Sequence, residues 1–104
     1  MNNHELELII TICNQGFADE VMEVAKKAGA RGGTIIHGRG TAPAETLKFF
    51  GLTIHPEKEL LLIVTQSTIK NDIMLAITSE HGLNKKARAL CFSLPITDAR
   101  GFNF

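Results

Sequence analysis

The sequence has no surplus of charge, no long apolar run, no tryptophan and no tyrosine. Its 11 lysines and arginines balance 11 aspartates and glutamates, which argues against nucleic acid as the main partner, because phosphate neutralisation requires a basic surplus. No apolar run approaches the roughly 18 residues of a membrane span. A secretory signal has a basic segment before its apolar run, and no such segment precedes the first apolar run here. We therefore expect a cytoplasmic protein without direct membrane insertion.

Residues that could bind a metal or perform catalysis are few and scattered. The two cysteines, Cys13 and Cys91, each lie within an apolar segment, which is typical of reduced thiols in the core of a cytosolic protein. The four histidines form no i, i+3 or i+4 pair, and no cysteine or carboxylate joins them at ligand spacing. No nucleophile has a visible base beside it. We predict neither a metal site nor an enzymatic activity.

The apolar pattern predicts a single domain, residues 1–104, with the element order βαββαβ. The predicted strands are residues 5–13, 33–39, 60–65 and 89–94, and the predicted helices are residues 17–28 and 69–81. In the first strand, alternating apolar residues indicate one buried face; they are Leu6, Leu8, Ile10 and Ile12. Ser67 or Thr68 is expected to cap the second helix, with Asp72 in its first turn.

This order predicts an α+β, ferredoxin-like sandwich, a four-stranded antiparallel sheet with two helices. Each helix carries one apolar stripe, so both can cover the same face of the sheet. The strand at 60–65 is apolar on both sides, and Ile9 and Cys13 project opposite to Leu8 and Ile12. The other face is therefore also apolar. Since monomers rarely expose such a patch, we predict closed self-association through it.

A long loop, residues 41–56, joins the second and third predicted strands. Connections between paired strands usually have about two to five residues. This loop carries Leu47, Phe49 and Phe50, which make it too apolar for a solvated linker. We interpret it as a recognition loop, in which Phe49 and Phe50 either contact a partner or pack against the loop's own base. Residues 41–45 also suit a capped helical turn.

Two segments combine small residues with positive charge. Gly38 and Gly40 flank Arg39, and such a segment can direct backbone N–H groups and a forked donor toward a phosphate. The alternative is that these glycines serve only a tight turn. Lys85, Lys86 and Arg88 lie between the second helix and the last strand. They form either a solvated basic turn or a segment that contacts residues 38–40 of a neighbouring copy of the chain.

Taken together, these features resemble the nitrogen regulatory P-II signalling family over about residues 6–102. The similarity is carried by GFADEV at 16–21, GARGGT at 29–34, GRG at 38–40 and the long loop that follows. It implies a homotrimer that binds ATP or ADP as an effector in the clefts between subunits. It also implies that the long loop controls a partner enzyme, transcription factor or membrane transporter, in nitrogen regulation.

The resemblance also implies roles for individual residues. Thr34, Gly40 and Val64 would line the adenine and ribose. Arg88 would stand where the family has a phosphate-binding lysine, and Arg100 in the tail, residues 95–104, would reach a neighbouring subunit's ligand. The predicted nucleotide-binding residues are Thr34, Gly38, Arg39, Gly40, Val64, Lys85, Lys86, Arg88 and Arg100. The predicted partner-binding residues are Leu47, Phe49 and Phe50.

Several positions depart from the family pattern. The family's Gly-Asp-Gly-Lys turn is replaced by Lys85-Lys86-Ala87-Arg88, and its paired C-terminal arginines are reduced to Arg100. The absence of tyrosine excludes nucleotidylation of a loop tyrosine. The loop lacks the glutamine that helps bind magnesium and 2-oxoglutarate in the family, so sensing of 2-oxoglutarate is not expected.

Two alternatives remain open from the sequence. In the first, the chain is a nucleotide-independent interaction module that only displays its long loop. In the second, it is a metal-responsive protein of the same fold, like the divalent-cation tolerance family. A small hydrolase is a more distant alternative.

Overall fold

The structure, a computed structural model, describes residues 5–42 and 47–103, without the side chains of residues 47–49 and 54. The elements in chain order are β1 (Leu6–Asn14), α1 (Ala18–Lys27), β2 (Thr34–Arg39), β3 (Leu47–Phe49), β4 (Leu52–Ile54), β5 (Glu57–Gln66), α2 (Ser67–His81) and β6 (Leu90–Pro95). The predicted order is confirmed, with β3 and β4 added inside the long loop.

The main sheet has four strands in the order β2-β5-β1-β6, and every neighbouring pair is antiparallel. Helix α1 packs over β5, and α2 packs over β1, β5 and β6. Both helices contribute to one core, so they cover the same face of the sheet. The α+β, ferredoxin-like sandwich is therefore confirmed, with the two most apolar strands at its centre.

The face of β1 that the helices cover is the opposite of the one that its alternation indicated. Ile9, Thr11 and Cys13 are buried beneath the helices, whereas Leu8, Ile10 and Ile12 are only partly buried; of the four residues predicted to be buried, Leu6 alone is. The helices supply Val21 and Ala25 of α1 and, from α2, the buried side chains Ile73 and Ile77. The prediction was wrong because both faces of β1 are apolar, and alternation alone cannot tell which of them the helices cover.

The second helix begins earlier than predicted and has no side-chain cap. Strand β5 ends at Gln66 and α2 begins at Ser67, so no loop residue is left between them. Gln66 is the N-cap and makes no side-chain capping hydrogen bond, and the first turn contains no acidic residue. The predicted cap at Ser67 or Thr68 and the first-turn position of Asp72 were therefore wrong. The predicted end of the helix at residue 81 is confirmed, and Gly82 is its C-cap.

The start of α1 is capped from the sheet rather than by a neighbouring residue. Its N-cap, Phe17, offers no side-chain hydrogen bond. Instead, Oε1 of Glu59 on β5 accepts hydrogen bonds from the backbone N–H groups of Gly16, at 2.9 Å, and Ala18, at 3.0 Å. Because the first N–H groups of a helix have no partner within it, this carboxylate fixes α1 directly to the sheet.

The hydroxyl of Thr11 is an unusual feature of the core. Thr11 is fully buried, and its Oγ1 has no hydrogen-bond partner among the described residues. Burying an unpaired hydroxyl costs about 1–3 kcal/mol. Replacing Thr11 with valine, which has nearly the same shape, is therefore expected to raise the free energy of unfolding by about 1 kcal/mol, as measured by urea denaturation.

Thr11→Ser is the matched control for that substitution, because it keeps the hydroxyl and removes the methyl group. It should lower the free energy of unfolding. If Thr11→Val were no more stable than the wild type, the hydroxyl of Thr11 would have a hydrogen-bond partner, such as a buried water.

The long loop contains a β-hairpin that the sequence did not predict. Strands β3 and β4 are joined by Phe50 and Gly51, with positive φ angles of 49° and 78°, as in a two-residue type I′ turn. At the base of the loop, the N–H of Gly40 donates to the carbonyl of Pro56 at 2.7 Å. The predicted helical turn at 41–45 lies largely outside the described residues.

Candidate functional site

The face of the sheet that the helices leave uncovered is a continuous apolar surface, which we call the open face. Strand pairing aligns its side chains in rows across β6, β1, β5 and β2. The rows are Leu94-Leu8-Val64, Phe92-Ile10-Leu62-Thr34 and Leu90-Ile12-Leu60-Ile36. Its outer members remain exposed, with Leu90 at 60% and Phe92 at 40%. A surface of this kind usually marks an interface.

A cleft of about 300 Å³ lies at the β2–β5 edge of the open face. We call it the tail cleft, because the C-terminal tail forms one of its walls. Its lining residues are Arg31, Gly32, Gly33, Thr34, Leu62, Val64, Phe102 and Asn103. The guanidinium Nη1 of Arg31 donates to the backbone carbonyl of Asn103 at 3.0 Å, which fixes the tail against this wall.

A second cleft, of about 220 Å³, shares Arg31 and Val64 with the tail cleft. It is also lined by Gly29, Thr65, Gln66 and Ile69. Gly29 has a φ of 118°, a conformation that favours glycine. Arg31 therefore lies between two adjoining hollows, where a forked donor can serve a ligand in either.

At the opposite end of the sheet, the glycine–arginine segment at 38–40 and the basic segment at 85–88 lie on different edges. Gly38, Arg39 and Gly40 end β2, which is one edge strand, and Arg39 pairs with Glu57. Residues 85–88 precede β6, the other edge strand. Three strand spacings separate the edges, or about 14 Å. The two segments therefore do not meet within one chain.

The basic segment before β6 is fixed to β1 by two hydrogen bonds from Asn14, one from its backbone and one from its side chain. The N–H of Asn14 donates to the carbonyl of Ala87 at 2.8 Å, and its Nδ2 donates to the carbonyl of Lys86 at 2.9 Å. Ala87 is buried, whereas Lys85, Lys86 and Arg88 are exposed. Arg88 also has a positive φ of 48°, which is uncommon for a residue with a side chain and often accompanies a functional site. The cations are thus held outward at this edge.

Both cysteines are free. Burial and, to a lesser extent, the Glu59 carboxylate raise the pKa of the Cys13 thiol from 9.0 to about 11, against a smaller lowering effect of Lys58. Burial also raises the pKa of the Cys91 thiol. Since the thiolate is the reactive form, these cysteines are unreactive core thiols at neutral pH, as the sequence indicated.

Within residues 5–42 and 47–103, no group of three or more His, Cys, Asp or Glu side chains could hold a metal ion. In the same part of the chain, no helix is long and apolar enough to cross a membrane. Neither cleft is lined by a group of side chains arranged for catalysis. Arg31 is the charged residue in both linings.

Comparison with known proteins gives matches at the level of structure. No protein-family model matches the sequence, and neither does any curated protein. PII from Arabidopsis thaliana, solved bound to citrate, has a TM-score of 0.64 and 19% identity, over 90% of this chain and 77% of that one. The GlnK–ATP complex of B. subtilis has a TM-score of 0.65 and 13% identity, over 93% of this chain and 85% of that one.

The chain has the PII fold. The likeness covers 90% or more of the chain at very low sequence identity, which agrees with the divergent pattern of the sequence.

Within this PII-fold chain, the predicted nucleotide-binding residues fall into three places. Thr34 and Val64 come together in the tail cleft. The segment from Gly38 to Gly40 lies further along β2, with Arg39 about 17 Å from Thr34 at the usual rise per strand residue. Lys85, Lys86 and Arg88 lie at the far edge, and Arg100 is exposed in the tail, outside the lining of both clefts.

Sequence reasoning missed Arg31, Phe102 and Asn103. Arg31 lies inside the glycine-rich run at 29–33. A charged residue among glycines, which allow tight turns, could have been noted as a candidate site residue. The contact of the tail with Arg31 spans 72 residues, and no local pattern announces it.

At the tip of the predicted partner-binding loop, the structure places the aromatic side chain of Phe50 in solvent. Phe50 is 90% exposed at the turn between β3 and β4, and Leu52 beside it is also exposed. Of the two interpretations of Phe50, packing against the loop's base is therefore wrong, because the hairpin places the ring outside. The side chains of Leu47 and Phe49 lie outside the described residues.

Proposed function

We propose that this chain is a PII-like signalling regulator. It assembles as a cytoplasmic homotrimer, binds ATP or ADP between subunits, and controls a partner enzyme or transporter through the loop that carries β3 and β4, in nitrogen regulation or a related response. Its role is regulatory rather than enzymatic, and it requires no metal of its own.

The placement of the glycine–arginine segment at 38–40 and the basic segment at 85–88 carries this proposal. They lie at the same end of the sheet but on opposite edges, about 14 Å apart within one chain. Association through the open face can bring the β2 edge of one copy beside the β6 edge of the next. Arg39 of one protomer and Arg88 of its neighbour would then face a single anionic group, in the charge-assisted geometry that phosphates favour.

The ligand's other end would lie in the tail cleft. Strand β2 runs from Thr34 in that cleft to Arg39 at the basic end, so a nucleotide lying along β2 would place its base and its phosphates at the two ends. The GlnK neighbour was solved as an ATP complex and the PII neighbour with citrate. Both ligands carry several negative charges, which suits the cations here.

The base of the loop adjoins the proposed phosphate site, which supplies a route for regulation. The N–H of Gly40 bonds to Pro56, and an added Cβ at Gly40 would lie 3.0 Å from Cε of Lys58. A phosphate bound at Arg39 would therefore lie beside the residue whose N–H closes the loop. A ligand changes the loop's conformation only to the extent that it binds one conformation more tightly than another.

Isothermal titration calorimetry of the native assembly with ATP and ADP tests the proposal. We expect wild-type protein to bind, and Arg39→Gln or Arg88→Gln to weaken binding at least tenfold, because each removes a charge-assisted phosphate contact. Lys27→Gln is the matched control, since Lys27 is an exposed cation at the end of α1, and its affinity should equal that of the wild type.

Absence of binding to the wild type at millimolar ATP and ADP would refute nucleotide sensing and leave the nucleotide-independent interaction module. Equal losses in Lys27→Gln and Arg39→Gln would mean that only net charge matters, and would remove the specific site.

A further inference from the structure

Asn14, the last residue of β1, bonds to the segments on both sides of it. Its Oδ1 accepts a hydrogen bond from Nζ of Lys58 on β5 at 2.7 Å, and its Nδ2 donates to the carbonyl of Lys86 at 2.9 Å. Its backbone N–H also donates to the carbonyl of Ala87 at 2.8 Å. One side chain therefore joins β5 to the basic segment at 85–88, which precedes the edge strand β6.

Both partners select the same orientation of the Asn14 amide. An ammonium group has only donors, and a backbone carbonyl has only an acceptor. The amide oxygen therefore faces Lys58, and the amide nitrogen faces Lys86. The bond from Lys58 involves a charged donor, which makes it stronger than a bond between two neutral groups. The two bonds together need a donor and an acceptor on one side chain.

The aliphatic part of Lys58 lies at the base of the long loop. Lys58 pairs with Gly38 of β2, and a Cβ added at Gly40 would lie 3.0 Å from Cε and 3.5 Å from Cγ of Lys58. The lysine side chain therefore lies directly against the backbone of Gly40, whose N–H donates to the carbonyl of Pro56 and closes the loop. A movement of Gly40 would displace Lys58 and, through its ammonium group, Asn14.

We propose that Asn14 is a positioning residue that couples the conformation of the loop base to that of the basic segment at 85–88. The path runs from Gly40 through Lys58 and Asn14 to the carbonyl of Lys86, and it crosses β5 and β1, the two strands between the edges. Hydrogen-bond networks of this kind can carry coupling between distant segments. This inference rests on the proposed function for the role of residues 85–88 in ligand binding, but the coupling itself is a property of the chain without ligand.

A small substitution at the loop base tests the coupling on the native protein without ligand. Gly40→Ala adds a methyl group against Lys58, and we expect it to shift the amide NMR signals of residues 85–88. Gly32→Ala is the matched control, because a Cβ added at Gly32 would meet nothing within 4 Å, and it should leave those signals unchanged. In a chain that also carries Asn14→Ala, Gly40→Ala should no longer shift them, because both side-chain bonds of Asn14 are lost.

Two further substitutions each break the path at one bond. Lys58→Met keeps the aliphatic chain against Gly40 and removes the ammonium group. Asn14→Asp keeps an acceptor for Lys58 but places a second acceptor against the carbonyl of Lys86. Each should abolish the response of residues 85–88 to Gly40→Ala, whereas Lys58→Arg keeps a cationic donor and should retain the response. Thermal melting without ligand identifies any variant that fails to fold.

Calorimetry with ATP connects the coupling to the proposed function. Asn14→Ala leaves the cations of residues 85–88 in place but removes the bond that fixes Lys86. We expect it to weaken ATP binding about fivefold or more, because couplings between sites are typically about 5–150-fold. Asn71→Ala is the matched control, since Asn71 is exposed on α2, and its affinity should equal that of the wild type.

The outcomes distinguish this inference from the proposed function. If Gly40→Ala shifts the signals of residues 85–88 equally with and without Asn14→Ala, or does not shift them, the path through Asn14 is refuted, and nucleotide sensing stands if the wild type binds ATP. If the wild type does not bind ATP but the signals respond through Asn14, the coupling stands and the nucleotide proposal is wrong. If Asn14→Ala binds ATP as tightly as the wild type, Asn14 does not position the ligand site.

Discussion

Phe92→Asp is expected to separate the proposed trimer into single chains without unfolding them. Phe92 lies on edge strand β6, in the open-face row with Ile10 and Leu62. In one chain its side chain is 40% exposed, so an aspartate there can reach water. Under a second copy, the same carboxylate would be buried without a partner, at a cost of several kcal/mol per subunit.

Light scattering after size-exclusion chromatography would measure this effect as a fall from the mass of the proposed trimer to that of one chain, with an unchanged far-ultraviolet circular dichroism spectrum. Leu83→Asp is the matched control, because Leu83 is also a large exposed apolar residue, 70% exposed, but lies outside the sheet. If Phe92→Asp kept the wild-type mass, or if the wild type were already a monomer, the open face would not be the subunit interface.

Glu59→Ala is expected to destabilise the fold by about 2–3 kcal/mol, although Glu59 lies on a strand and its contacts are with the start of a helix. Removing the carboxylate leaves the N–H groups of Gly16 and Ala18 without their partner, and hydrogen bonds to a charged group are worth about 1.5–3 kcal/mol each. It also removes a negative charge from the N-terminus of α1, where the helix dipole favours one.

Thermal unfolding at a fixed protein concentration tests this, since assembly makes the melting temperature depend on concentration. A loss of this size should lower the midpoint by about 10 °C or more in a domain of this length. Glu57→Ala is the matched control on the same face of β5, because Glu57 is exposed. Glu59→Gln keeps one oxygen acceptor, so its unfolding midpoint should lie between those of Glu57→Ala and Glu59→Ala. Equal midpoints for Glu57→Ala and Glu59→Ala would contradict the capping role of Glu59.

The fold was largely predictable because its main elements have strong local periodicity. The stripe of α1, with Val21 and Ala25, appears in the sequence at helical spacing. The unbroken apolar run in β5 indicated a strand that is apolar on both faces, and the order βαββαβ indicated the ferredoxin-like fold. The hairpin of β3 and β4 was missed because its turn is Phe50-Gly51, where asparagine or aspartate before glycine is the usual signal.

The candidate site was predictable only in its separate parts. Glycine beside arginine at 38–40 and the basic run at 85–88 are visible as residues, and their chemistry suits an anion. Their positions on opposite edges of one sheet follow from strand order, which pairs β1 with both β5 and β6. The relation of the two segments across neighbouring copies therefore depends on assembly and not on any local pattern.

The sequence by itself determined the helices and the four strands of the main sheet, the presence of two apolar sheet faces, and two segments whose chemistry suits an anion. Only the tertiary structure decided which face of β1 the helices cover, which carboxylate caps α1 across 43 residues to Gly16, and that the tail lies against Arg31. The reason is physical: periodicity records which side chains can be buried together within one element. The partner that buries them, or bonds to them, is chosen by contacts between distant parts of the chain.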